Sequence, residues 1–266
     1  MSNPNKKEKL KNKFRRQLAK HVELFSEAVS NQNGDWVVKG FIDIAKNIYT
    51  ISVDTKVISK IMEFILFPKL CQFADKFNYK IFLSKEQNFY PDISFMDKQN
   101  NLFAVDIKST YRKNERKVNG MTLGAFTGYF RDRKSTKNIS FPYSKYAGHF
   151  VLGIIYSRAN EVLDERKKYA LDDLHSIPSV IKDFEFFVQE KYKIASTRPG
   201  SGNTKNIGSI TGLNELIAGK GPFFELGEDV FDDYWMYYLT NDMVKSVDLK
   251  KAPYRNLKEY VEYKRL

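Results

Sequence analysis

Two neighbouring apolar, aromatic-rich runs each carry an aspartate in their interior. Asp92 follows Phe89-Tyr90-Pro91, and Asp106 follows Leu102-Phe103-Ala104-Val105 and precedes Ile107 and Lys108. Runs so rich in β-branched and aromatic residues predict strands over Asn88 to Phe95 and Leu102 to Ile107, with the polar Asp97 to Asn101 as the hairpin connection. A carboxylate inside such a strand needs a partner, because an unpaired charge in apolar surroundings is costly. Strand side chains alternate, so Asp106 and Lys108 share a face, and the adjacent strand can bring Asp92 beside them. Two carboxylates that close repel unless a cation intervenes, and hard oxygen ligands favour Mg²⁺. Such an ion could polarise a phosphodiester and activate water while Lys108 orients that water or neutralises developing charge. The plain alternative is a pair of surface-strand acids with a salt-bridging lysine, since P-D…D-x-K also arises by chance.

The rest of the chain predicts a mixed α/β (α+β) body around that hairpin. Asp54 or Thr55 can cap a helix carrying Val57, Ile58, Ile61, Met62, Ile65 and Leu66, ending near Pro68 or continuing to Phe73. Glu63 lies inside it, and an acid on the solvent stripe is its ordinary reading. Tyr79 to Leu83 and the apolar His149 to Ser157 predict further strands. Phe184 to Val188 and Lys191 to Ala195 are expected to pair, and Arg112 to Lys117 reads as a charged loop. Glu228 to Leu239 and Asn256 to Tyr263 look helical, with an aromatic stripe of Phe231, Tyr234, Trp235 and Tyr238. At 266 residues one compact body is expected: a basic helical arm over 1–28 and a catalytic and recognition domain over 29–266.

Charge is unevenly placed. The formal net charge is +12, and residues 1–20 hold eight Lys or Arg against one acid, Glu8. Leu10, Phe14, Leu18 and Val22 recur every four residues, so this segment reads as an amphipathic helix with a docked apolar stripe; a nucleic-acid tether is the competing reading. One cysteine and three scattered histidines give neither an internal disulfide nor zinc-ligand spacing. No apolar run reaches membrane-spanning length, and a cytoplasmic location is expected.

A glycine-rich stretch, Gly200-Ser201-Gly202-Asn203-Thr204-Lys205-Asn206, lacks the G-K-[ST] ending of a phosphate-binding loop. Asn can bond adenine at N6 and N7 and a Thr methyl can touch the thymine methyl, so the stretch suits major-groove reading; a flexible surface loop is the alternative. Taken together, VDTKVISKIMEF, EQNFYPDIS, AVDIKSTY, STKNISFPYSKYAGH and GSGNTKNIGSI, in this order, resemble the EcoRV-like type II restriction endonucleases of the PD-(D/E)xK nuclease superfamily. The resemblance implies a restriction-endonuclease-like fold, a bacterial restriction system, a homodimer on double-stranded DNA, and cleavage of GATATC at its centre to blunt ends. It implies Asp92, Asp106 and Glu63 as Mg²⁺ ligands and Lys108 as the group assisting water. Gly200 to Thr204 would be the base-reading loop, with Lys205 and Asn206 also on DNA; Gln87 and Asn88 would approach the minor groove and backbone, and Thr55, Thr110 and Lys137 would lie near phosphates. Two positions depart from the family pattern: Glu86 replaces a glutamine and Lys205 a threonine. A structure-specific repair or recombination nuclease of the same fold, or an inactive DNA-binding protein, are the competing functions.

Overall fold

The computed structural model describes residues 4–86, 88–159, 166–200 and 204–264. Helices α1 (Pro4–Ala19) and α2 (Val22–Val29) open the chain and bury Phe14, Leu18, Phe25 and Val29. Strands β1 (Gly40–Ile42) and β2 (Ile48–Thr50) follow. Helix α3 (Thr55–Phe77) starts where the Asp54 carboxylate accepts the amides of Lys56 and Val57, at 2.8 and 3.0 Å, satisfying donors that a helix start leaves open. It runs through Pro68 and ends at Asn78, whose φ of 58° turns the chain.

Strands β3 (Lys80–Leu83), β4 (Ile93–Met96) and β5 (Leu102–Asn114) form an antiparallel ribbon, and β6 (Lys117–Val118) folds back on the end of β5. After β7 (Thr122–Ala125), the long strand β8 (Tyr146–Arg158) runs parallel to β5. Strand β9 (Lys168–Tyr169) joins β2, and β10 (Ile181–Glu190) lies antiparallel on β8. The central sheet is therefore mixed, in the order β10-β8-β5-β4-β3. One helical turn, α4 (Lys191–Ile194), leads into β11 (Ala195–Pro199), which pairs with β12 (Asn206–Ser209); β12 also pairs with β7. Helices α5 (Leu213–Ala218), α6 (Glu228–Tyr237), α7 (Asn241–Ser246) and α8 (Leu257–Lys264) follow.

Alternation along β5 divides the core in two. Phe103, Val105 and Ile107 pack with Phe14, Phe73 and Phe150 on the side of α1 and α3, and Phe14 stacks on Phe103 with centroids 4.4 Å apart. Leu102 and Ala104 belong to the opposite core with Phe126, Tyr234 and Trp235. Three expectations are corrected. Lys191 to Ala195 does not pair with Phe184 to Val188: β10 takes β8 as its neighbour, and Lys191–Ile194 coils as a helical turn. Arg112 to Lys117 is the end of the β5–β6 hairpin, with Arg112 half-buried against Glu185, Glu115 and Arg116 in the turn, and Lys113 and Lys117 exposed on the strands. Asn88 stands in a turn closed by the Phe89 amide on the Glu86 carbonyl, so β4 begins only at Ile93.

Candidate active site

The β4–β5 register sets the geometry. Ile93 pairs with Val105, so Asp92, one residue earlier, falls opposite Asp106, one residue later. The Asp92 carboxylate accepts the Ile107 amide at 2.7 Å, and the Asp92 amide donates to Asp106 Oδ1 at 3.3 Å. Tyr90, two residues before, is clamped by Asn138 and Ser140: its amide donates to the Asn138 carbonyl, and its carbonyl accepts the Ser140 amide. Lys108 Nζ lies 3.2 Å from Asp106 Oδ2 and 3.5 Å from Asp92 Oδ2. Asp92, Asp106 and Lys108 thus converge on one cleft of about 550 Å³, which Asn88, Thr122, Gly124, Lys137 and Asn206 also line.

Two carboxylates against one ammonium leave a surplus negative charge. Burial alone would depress the Lys108 pKa, but Asp106 and Asp92 outweigh it and hold the ammonium charged. For Asp92, burial pushes the carboxyl pKa up; Lys108 opposes this, while Asp106 and Glu63 add to it. Hard oxygen donors with an excess of negative charge in a partly dry cleft fit a divalent cation. Among the described residues, however, no three His, Cys, Asp or Glu side chains converge closely enough to form a metal site. Glu63 does not join the pair: it is ion-paired with Lys60 at 2.6 Å and lines an adjoining cleft of about 540 Å³, which it shares with Asp92 and Ile107. Asp92 lines both clefts.

The remaining positions are spread around this centre. Asn88 lines both clefts, and Lys137 is exposed at the rim of the first. Thr55 is the exposed first residue of α3. Thr110 faces inward at 3% exposure, and its hydroxyl donates to the Asn119 carbonyl at 2.7 Å, so that side chain is engaged within the protein. Gln87, Ser201, Gly202 and Asn203 lie outside the described residues. The ends of the glycine-rich stretch are joined where the Gly200 amide donates to the Asn206 carbonyl at 3.0 Å. Gly208 allows this closure, since a Cβ there would lie 2.8 Å from the Arg198 carbonyl oxygen and 2.9 Å from Gly200 Cα. Lys205 is exposed, and its carbonyl accepts the Phe126 amide. Through β12 the stretch is hydrogen-bonded to β7, whose Thr122, Gly124 and Ala125 line the cleft that holds Asp92, Asp106 and Lys108.

Sequence reasoning missed Lys191. Its side chain is buried, its Nζ has no hydrogen-bond partner among the described residues, and it lies over the Tyr90 ring at 4.7 Å. Burial drives its pKa down to about 8, although Asp106 and Asp232 pull the other way. Gly124, at φ 89°, makes room for it: a Cβ there would meet Lys191 Nζ and the Tyr129 hydroxyl, each at 3.3 Å. Beside it, His149 is held neutral by burial and by Lys191 and Arg133, with Nδ1 2.9 Å from the Tyr90 hydroxyl. No spacing rule marks a lysine that meets its partners only in three dimensions.

Comparison with known proteins gives the chain its relatives. A sequence model of the family "Restriction endonuclease EcoRV" matches residues 32–265. The type II restriction enzyme EcoRV of Escherichia coli is 36% identical over 236 residues, covering 88% of this chain and 93% of its own. Among solved structures, the NlaIV restriction endonuclease aligns at 10% identity with a TM-score of 0.45, covering 93% of this chain and 95% of that one. With a family match over most of its length, the chain belongs to the EcoRV family of type II restriction endonucleases, enzymes that hydrolyse phosphodiester bonds in DNA.

Proposed function

We propose that this enzyme is a homodimer that cuts duplex DNA at GATATC or a close relative, at the central step and to blunt ends, with Mg²⁺ as its cofactor in the bacterial cytoplasm. The observation that carries the catalytic part is the convergence of Asp92, Asp106 and Lys108 within one cleft. Asp92 and Asp106 would hold the ion, with Glu63 as an auxiliary acid reached through Asp92. A divalent ion bound there supplies Lewis acidity toward a phosphate oxygen and lowers the pKa of water. Lys108, kept protonated by its two carboxylates, orients the attacking water and offsets negative charge growing on the phosphate. In-line attack then leaves a 5′-phosphate and a 3′-hydroxyl.

Base reading is assigned to Gly200, Ser201, Gly202, Asn203, Thr204, Lys205 and Asn206, supported by the anchorage of Asn206 in the cleft wall. A central TA step is selected by its low cost of kinking rather than by contact. Gln87 and Asn88 approach the backbone and minor groove, with Thr55, Thr110 and Lys137 near phosphates. Since the Thr110 hydroxyl is engaged with Asn119, its contribution runs through the strand it holds. Glu86 weakens phosphate contact and Lys205 offsets that loss, with Lys205 also able to favour guanine at the outer position. The apolar surface of the β1–β2 region, with Phe41, Ile42 and Ile44 exposed, supports pairing of two copies.

Digestion of a sequenced plasmid with Mg²⁺, followed by end-mapping, tests activity, site and cut position together. Discrete fragments with blunt ends at GATATC are expected; cuts only at junctions or mismatches would sink the restriction reading. Asp106→Ala abolishes cleavage and keeps the circular-dichroism spectrum of the parent, and full activity in that variant would end the metal-site assignment.

A further inference from the structure

Helix α1 sorts its cations by face. Lys11 is buried, with Nζ 2.7 Å from Glu190 and 3.1 Å from Glu228, and the half-exposed Lys7 lies 3.8 Å from Glu228. Lys6, Lys9, Lys13, Arg16 and Lys20 recur every three or four residues, the spacing that sets side chains in one row along a helix. All five are exposed, and none has an acidic partner among the described residues. The one acid of the helix, Glu8, is occupied by Lys11 and Asn12. A shallow groove of about 410 Å³ along the row is lined by Lys9, Asn12, Lys13, Arg16, Gln17 and Lys20, with no acid among them. Like charges at this spacing repel, so the row costs the isolated protein stability and gains only when a polyanion covers it.

Position narrows the partner. At about 1.5 Å per residue the row is roughly 21 Å long, and that length of duplex carries about twelve phosphates. Phe14 of α1 stacks on Phe103, which belongs to the β5 face opposite Asp106 and Lys108, so the row lies behind the sheet, away from the catalytic cleft. A duplex seated in the cleft leaves it free. The row also precedes the segment that matches the family, residues 32–265.

We propose that Lys6, Lys9, Lys13, Arg16 and Lys20 form a second, sequence-independent site for duplex DNA on the back of the enzyme, which holds a segment other than the one being cut. The site reads phosphates alone and so carries no preference among sequences. It rests on the DNA-cleaving function of the cleft, and it gives the enzyme a means to keep hold of one stretch while testing another.

The test compares the full-length parent with a variant in which all five residues are replaced by Gln. Fluorescence anisotropy with a labelled duplex lacking the target, over a salt series, is expected to show at least a tenfold loss of affinity. The slope of log K against log salt is expected to become shallower by about 4. Single-turnover cleavage of a short target duplex at saturating enzyme stays within twofold of the parent. Parent enzyme captured on an immobilised target duplex, with metal withheld to prevent cutting, retains a second labelled duplex that the variant releases. A matching variant with the four lysines changed to Arg retains both activities, which separates charge from folding. Unchanged affinity and slope in the Gln variant would overturn the proposal, as would a loss of short-duplex cleavage equal to the loss of binding. If the parent cuts no DNA at all, the catalytic reading fails on its own, and the anisotropy comparison still decides the row.

Discussion

Lys191 shows how a single buried group can be set against the stability of its own fold. An ammonium with no hydrogen-bond partner among the described residues, boxed among Tyr90, Phe130 and Tyr143, is less stable there than in water. Its folded pKa of about 8 lies below the usual lysine value of 10.5, so the unfolded chain binds more protons between those two values and stability rises with pH across that window. Lys191→Met fills the space without the charge. It is expected to raise stability at pH 7 by about 1–4 kcal/mol and to flatten the rise between pH 8 and 10.5, both measured by urea unfolding. A less stable variant with the rise intact would show that the ammonium is not what strains this site. Asp92, Asp106 and Lys108 were legible in the sequence because strand alternation is a local rule. Lys191 was not, because its surroundings come from four separate segments.

Among the elements, α1 is where charge and packing are most tightly joined. Its apolar stripe was readable from the spacing of Leu10, Phe14 and Leu18, and Phe14 meets Phe73, Phe95, Phe103 and Phe150. The role of Lys11 was not readable, since its acids come from α1, β10 and α6. Lys11→Met leaves the buried Glu190 with Lys193 alone, and breaking such a group costs about 3–5 kcal/mol, to be read as a lowered Tm in thermal unfolding. An unchanged Tm would mean that Lys193 suffices. Strand partners were the other illegible feature. The apolar runs of β8 and β10 announce strands, yet nothing local says that β10 takes β8 while β11 turns away to β12. Propensity fixes an element's type, and its neighbour is chosen by the packing of whole sheets.

For the molecule as a whole, an α/β body was foreseeable from pattern and its mixed sheet from the family resemblance, whereas the division into two cores and the exposed apolar surface were not. The β1–β2 region exposes Phe41 at 54%, Ile42 at 59% and Ile44 at 103%, a concentration of apolar side chains that a solitary soluble chain seldom leaves bare. If two copies meet there, replacing Ile42 and Ile44 together by Asp yields a monomer in sedimentation velocity at concentrations where the parent is a dimer, and double-strand cleavage falls with it. A dimer that survives both changes would move the interface elsewhere.

The pairing of β12 with both β11 and β7 ties the glycine-rich stretch through backbone hydrogen bonds to the cleft that holds Asp92, Asp106 and Lys108. If that stretch reads the target as proposed, target choice and bond breaking are mechanically married. On that reading an engineer would keep Gly200 and Asn206, whose mutual hydrogen bond is the hinge post, because a change of length there would drag the scissors along with the eyes.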